Sequence, residues 1–265
     1  MSWLIKRALE FLSGETSTPE PSASADVLAA RDALMCLLPL ELVYIVLNLA
    51  EYWVPDTSVC SVFRAVSASG SPDNNASLCY LVTASIWDSQ PDEDEDGEGV
   101  RLKLVCVQFK LLSHDQGWAG EVHLQSTYGG HTWFEAAILR PDRSANPTLR
   151  SWLAGALRGP TRMEPSGGYD PALEVPTGSD SDDGAENTRW ELQRNFCASR
   201  HPYSHTVTWT AEGSTTGTAH GAGDGMGFVE RLRAGDRIAV VARAQYPQWC
   251  NKVEQVEVTV HYALA

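Results

Sequence analysis

Three short passages concentrate the side chains that can do chemistry. The first is Ser113-His-Asp115-Gln116-Gly117-Trp118. The second is Tyr128-Gly-Gly-His131-Thr-Trp133-Phe-Glu135, and the third runs from Gly235-Asp236-Arg237 through Arg243 to Tyr246-Pro-Gln-Trp249-Cys-Asn251. Aromatic rings beside a few polar groups, carried on loops, suit the binding of a sugar or a peptide. Arg243, close to a tyrosine and a tryptophan, suits a carboxylate or an aromatic face. Each passage has a structural use as well. Trp118 and Trp133 can cap the open end of a core, Asp115 and Gln116 can accept from loop amides, and Arg243 can pair with Asp236 or Glu135.

Other chemistries find less to work with. His114, Asp115 and His131 are metal donors without the HxH or HExxH spacing that fixes a coordination geometry. Asp115 and Glu135 would serve as a glycosidase pair, a mechanism that asks only for two acids at a set separation. Gly221, Gly223, Gly225 and Gly227 alternate strictly, so they lack the third glycine of GxGxxG, and no P-loop Lys-Ser or Lys-Thr follows. They read as a flexible turn before Phe228 and Val229. Cys197 with His201 and His205 matches no protease signature, and there is no GxSxG elbow. No cofactor is expected.

Those loops need strands to carry them. Segments 59–66, 78–86, 101–112, 132–139, 204–210, 237–243 and 253–262 are rich in β-branched or aromatic residues and bounded by Gly, Pro, Asp or Asn. In the last, Val256, Val258, Val260 and Tyr262 alternate with Glu257, Thr259 and His261. In 101–112 both faces are apolar, which predicts a central strand. Without crossover helices between them, these strands predict a mainly β, antiparallel sandwich or jelly roll. One helix is predicted ahead of it: Leu40, Val43, Tyr44 and Leu47 recur at helical spacing after Pro39, with Pro55 beyond the end. Residues 1–12 read as a short amphipathic helix or a loosely held tail, and Gly14 to Ala25 as a linker. The division expected is a flexible segment 1–34, a helix within 35–55 packed on the sandwich, and a sandwich domain 56–265 with long loops at 88–99 and 141–189. A short helix is expected near Trp152, Leu153 and Leu157.

Composition narrows the function. The chain has 265 residues and a net charge of −14, which disfavours a general nucleic-acid binder. Ten of the acids lie in two runs, Asp92 to Glu98 and Asp180 to Glu186, so the rest of the surface is ordinary. The longest apolar stretch, Leu37 to Ala50, is interrupted by Pro39, Glu41 and Asn48, too short and too polar for a membrane span. No continuous signal-peptide core is read at the N-terminus. The six cysteines show no CxxC pairing, which leads to the expectation of a reduced, cytoplasmic or nuclear protein.

Two resemblances enter at these residues. Leu38-Pro39-Leu40-Glu41-Leu42-Val43-Tyr44-Ile45-Val46-Leu47 resembles the opening helix of an F-box, which implies docking on the Skp adaptor of a cullin ubiquitin ligase through Leu38, Pro39 and Leu42. The passages SHDQGW, TWFEA, WELQRN, HTVTW and AGDRIAVVARAQYPQWCN resemble an uncharacterised family of fungal proteins with such a helix. Its C-terminal part is similar to the galactose-binding-like jelly roll of F-box-associated domains. That resemblance implies a ligand site at Asp115, Trp118, Trp133, Arg243, Tyr246 and Trp249. The function expected is non-catalytic recognition of a protein or glycan, with a ubiquitin-ligase receptor or a carbohydrate-active enzyme as alternatives.

Overall fold

The computed structural model describes residues 23–86, 101–139, 189–214 and 220–265. The acidic run at 92–98, most of 141–189 and residues 1–22, with the expectations made there, lie outside them. The chain divides into two compact units, Met1–Val54 and Pro55–Ala265.

In the first unit, α1 (Ala23–Met35) and α2 (Leu40–Leu49) pack on each other. Pro39 stands at the N-cap of α2, where its missing N–H costs nothing. The helix ends in a Schellman turn: Glu51 takes a left-handed φ of 52°, Tyr52 N–H donates to Leu47 O and Glu51 N–H to Asn48 O. Of the four residues at helical spacing, Val43 and Leu47 are buried, Tyr44 is half-buried and Leu40 is 41% exposed. Residues 23–34 are the correction. They form most of α1 rather than a flexible segment, because the run from Ala25 to Met35 is rich in the helix formers Ala, Leu and Arg and Val27 is buried.

The second unit is mainly β, two antiparallel sheets packed face to face. One sheet has the order β1 (Val54–Cys60), β10 (Cys250–Leu264), β4 (Leu102–His114), β7 (Tyr203–Thr210), β8 (Gly213–Ser214), with β2 (Arg64–Ser67) also pairing β10. The other has the order β3 (Asn75–Val82), β9 (Arg237–Gln245), β5 (Thr132–Leu139), β6 (Arg189–Arg194). A one-turn helix, α3 (Phe228–Arg231), precedes β9. As its two apolar faces predict, β4 is central, between β10 and β7.

The core lies between the sheets. Val107, Phe109 and Leu111 from β4, Val207 and Trp209 from β7, and Val256 and Val258 from β10 meet Phe134, Leu192, Val240 and Ala242. Phe109, Trp209 and Phe228 interlock edge to face at 4.9–6.1 Å between centroids. The segment read as one strand over 59–66 is two. The chain breaks at 61–63, where the Tyr80 hydroxyl reaches the carbonyls of Val62 at 2.7 Å and Glu254 at 3.1 Å. The glycine-rich passage is closely packed: a Cβ on Gly223 would lie 1.8 Å from Glu191 O, and one on Gly225 would strike the Trp209 ring.

Candidate functional site

Antiparallel pairing brings β4, β6 and β9 to their ends, and β3, β5, β7 and β10 to their beginnings, at one pole of the sandwich. Four connections converge there: 68–74, 115–131, 195–202 and 246–249. They are laced together by backbone bonds, Ala68 N–H to Trp249 O at 2.9 Å, Tyr246 N–H to Asn74 O at 2.8 Å, Cys197 N–H to Thr127 O at 2.8 Å and Gln245 N–H to His131 O at 2.9 Å.

Beneath the loops runs a buried chain of side-chain amides. Ser113 Oγ donates to Asn195 Oδ1 at 2.7 Å, and Asn195 Nδ2 donates to Thr132 Oγ1 at 3.0 Å and Asn251 Oδ1 at 2.9 Å. Asn251 Nδ2 reaches the carbonyls of Trp133 and Arg243 at 3.0 and 3.2 Å. The chain thus ties β4 and β10 of one sheet to β5 and β9 of the other, and both asparagines are no more than 1% exposed. Satisfied polar networks of this kind fix one arrangement where an apolar core would tolerate several.

Asp115 belongs to that scaffold. It is fully buried; Oδ1 accepts from Gly117 N–H at 2.8 Å and Oδ2 from Ala198 N–H at 2.6 Å. Burial pushes its carboxyl above the ordinary value, with the two amides and the Cys197 thiol pulling the other way. The same enclosure, with the Asp115 charge second, pushes Cys197 up to about 11. Gln116 accepts from Cys250 N–H at 3.1 Å and donates to Trp118 O.

Three of the expected ligand residues are presented at this pole. Tyr246 is 49% exposed and Trp118 48%, while Trp249 is half-buried. His131 stands edge to face against both Tyr246 at 4.6 Å and Trp249 at 5.0 Å, so the three rings form one continuous ledge. Trp118 rises from the neighbouring loop and is in ring contact with none of the three. Gly130 is required where the strap into β5 crosses the ledge: a Cβ there would lie 3.0 Å from the Trp249 ring and 3.3 Å from Cys197 Sγ. Among the described residues, six non-glycines have positive φ, and five are in these loops: Asn74, Ser126, Ala198, Tyr246 and Gln248. Such backbone costs of order 1 kcal/mol each and persists where the surroundings enforce it.

Trp133 and Arg243 are placed elsewhere. They face each other across β5 and β9 on the outer side of the four-stranded sheet. The Trp133 ring has Arg243 at 5.4 Å and Arg194 at 5.7 Å, and its Nε1 donates to Glu135 Oε1 at 3.0 Å. Arg243 is buried; it donates to Glu135 Oε2 at 3.1 Å and Asn75 Oδ1 at 2.9 Å. Arg189 approaches the same Glu135 oxygen at 3.5 Å, and Arg194 is held by Glu191 at 2.7 Å. Each charged group there has an ion-pair or hydrogen-bond partner, with Arg243 Nε alone among its nitrogens left without an acceptor among the described residues. Asp115 and Glu135 are likewise both engaged, one by amides, the other by an indole and two guanidinium groups.

Sequence reasoning passed over His131 as a ledge residue, and Asn195 and Asn251 as its support. Asn195 follows the alternating run WELQR and Asn251 stands at the start of the last one, CNKVEQVEV, which is the available signal for a polar group at a sheet terminus. Leu38 is half-buried, Pro39 is exposed and Leu42 is 46% exposed in the first unit. All six cysteines are free thiols. Among the described residues no group of three His, Cys, Asp or Glu could hold a metal ion, and no helix is long and apolar enough to cross a membrane. No known family model matches the chain, and no curated protein matches it.

Proposed function

We propose that the sandwich is a non-catalytic recognition module whose ligand, a protein segment or a glycan, lies on the His131–Tyr246–Trp249 ledge with Trp118 beside it. The observation that carries this is the pairing of presented rings with an over-determined base. Exposed aromatics bring contact area at low entropic cost, and a buried polar network means little ordering remains to be done on binding. A β-sandwich pole of this form is compatible with a galactose-binding-like fold, so simple sugars are one natural class of probe.

Purified protein on glycan and peptide arrays tests the reading, with Trp118→Ala and Tyr246→Ala as controls. The expected outcome is a ligand bound by the wild type, weakened about tenfold or more by either change, with each variant's melting temperature within a few degrees of the parent. Retained binding in both variants excludes the ledge.

A second reading rests on the first unit. Around α2, Leu37, Leu40, Leu42, Ile45 and Leu49 are 41–81% exposed, an apolar surface of the kind that marks a docking site. A ubiquitin-ligase receptor role through Leu38, Pro39 and Leu42 would use it. Co-purification with a Skp adaptor, abolished by Leu38→Ala with Pro39→Ala, is the expected result; a native pull-down without adaptor ends that reading.

A further inference from the structure

His205 lies on the inner side of β7, in the alternating series with Val207 and Trp209, and is 8% exposed. Among the described residues neither ring nitrogen has a hydrogen-bond partner, although both are sealed from solvent. Polar atoms in such positions normally have one. What surrounds the imidazole is aromatic: the Tyr128 ring stands edge-on at 5.7 Å and the Tyr203 ring lies tilted at 6.4 Å. The other titratable group acting on it is His220, whose positive form would oppose its own. Its ladder partner on β4, Leu111, brings no charge. No carboxylate among the described residues faces it.

Tyr128 connects this socket to the ledge. Its ring packs on Phe196 at 5.4 Å and His220 at 6.1 Å, and so tightly on Gly221 that a Cβ there would approach within 2.8 Å. Two residues on, Gly130 lies so near Trp249 that a Cβ there would come within 3.0 Å of its ring, and the next residue is His131 itself. The strap 128–131 is therefore pinned at one end by His205 and its neighbours, and carries the ledge at the other.

We propose that His205 is a protonation switch for the ledge: the neutral ring fills the socket and holds the strap closed, whereas the imidazolium, with two N–H donors and no acceptor, must leave and release Tyr128. The inference rests on the ledge being a binding surface and adds its regulation by pH. Burial holds the His205 proton affinity below the ordinary histidine value of 6.5, with His220 acting the same way. The sign follows. The unfolded or opened segment binds the proton more readily than the closed one, so closure is fully favoured above 6.5 and is lost as pH falls below it. His131 shifts in the same direction, chiefly through burial, with Glu121 opposing and Arg194 assisting.

Hydrogen exchange of the full chain, followed by mass spectrometry from about pH 8 to about pH 5 and corrected for intrinsic rates, reads the switch without any ligand. The expected result is a loss of protection of about tenfold or more in 115–131 and 195–202 as pH falls, with β4, β9 and β10 unchanged, and no such loss in His205→Phe. Equal protection at both ends of the range, or the same loss in His205→Phe, overturns the proposal. Should His205→Phe fail to fold, the imidazole proton resonances of the wild type decide: His205 must titrate together with the resonances of Tyr128 and Trp249, and titration without them overturns it equally. Array binding at high pH is independent of this outcome, so failure of the switch leaves the ledge standing and failure of the ledge leaves the exchange result intact.

Discussion

Two regions of the sandwich set tryptophan rings beside acid side chains, yet only one presents its rings. On the outer side of the four-stranded sheet, Trp133, Arg189, Arg243 and Glu135 are closed on one another, with the Arg243 side chain 9% and Glu135 15% exposed. At the pole, polar side chains are spent below the surface, in Asp115, Asn195 and Asn251, and the rings stay outside. The comparison teaches that residue type marks neither region as a site. What distinguishes them is where the hydrogen-bonding capacity goes: into the tryptophan, arginine and glutamate side chains themselves, or into the base that holds the rings.

The sharpest way to break that comparison is Glu135→Gln. Shape is conserved, but Arg243 and Arg189 lose the carboxylate that neutralises them while remaining largely buried. Removing one partner of a buried pair costs about 3 kcal/mol. Urea denaturation should show that loss, with ligand binding at the ledge unchanged. A small stability change accompanied by lost binding would mean that the outer cluster is the site and the pole the scaffold.

Asn251→Ala comes next in size. It removes the acceptor of Asn195 and the donor to two carbonyls, and buried groups left unpaired cost about 2 kcal/mol together. Unlike Glu135→Gln, it should also loosen 246–249, seen as faster amide exchange there. Stability lost with the loops still protected would show that the network supports the sheets alone.

Most of the fold was legible because period-two patterning reports burial directly. Val256, Val258 and Val260 are buried, and Trp209, within the strand predicted over 204–210, is fully so. Helix α1 was not read in advance: its start, Ser24 and Ala25, belongs to a Ser- and Pro-rich stretch. Although Val27 to Met35 is rich in the helix formers Ala, Leu and Arg, it buries only Val27 among its described side chains, so it shows no broad apolar face. β6 was missed for a related reason: Trp190-Glu-Leu-Gln-Arg alternates, but its outward residues are charged and the run is short. At the site, the loops and their tryptophans could be named in advance. Which side chains face solvent could not, because Asp115 and Arg243 look identical in sequence whether they await a ligand or bind a neighbour. That choice is made by partners far along the chain, such as Ala198 and Asn75.

The smallest expected effect tests whether the loop geometry is itself under strain. Gln248 has φ of 74° and its side chain is exposed, while its backbone N–H donates to Ser69 Oγ at 2.9 Å. Gln248→Gly keeps that bond and removes a left-handed penalty of about 1 kcal/mol, but returns part of it as unfolded-state entropy. A net stabilisation of about 0.5 kcal/mol is expected by denaturant titration, with Tyr246 and Trp249 still in place. The same change at Tyr246, φ 69°, relieves similar strain but removes the ring that His131 packs against, so it should gain nothing and abolish binding. If both glycine variants stabilise alike and both still bind, Tyr246 is a turn residue with a large side chain, and the ledge reduces to His131 and Trp249.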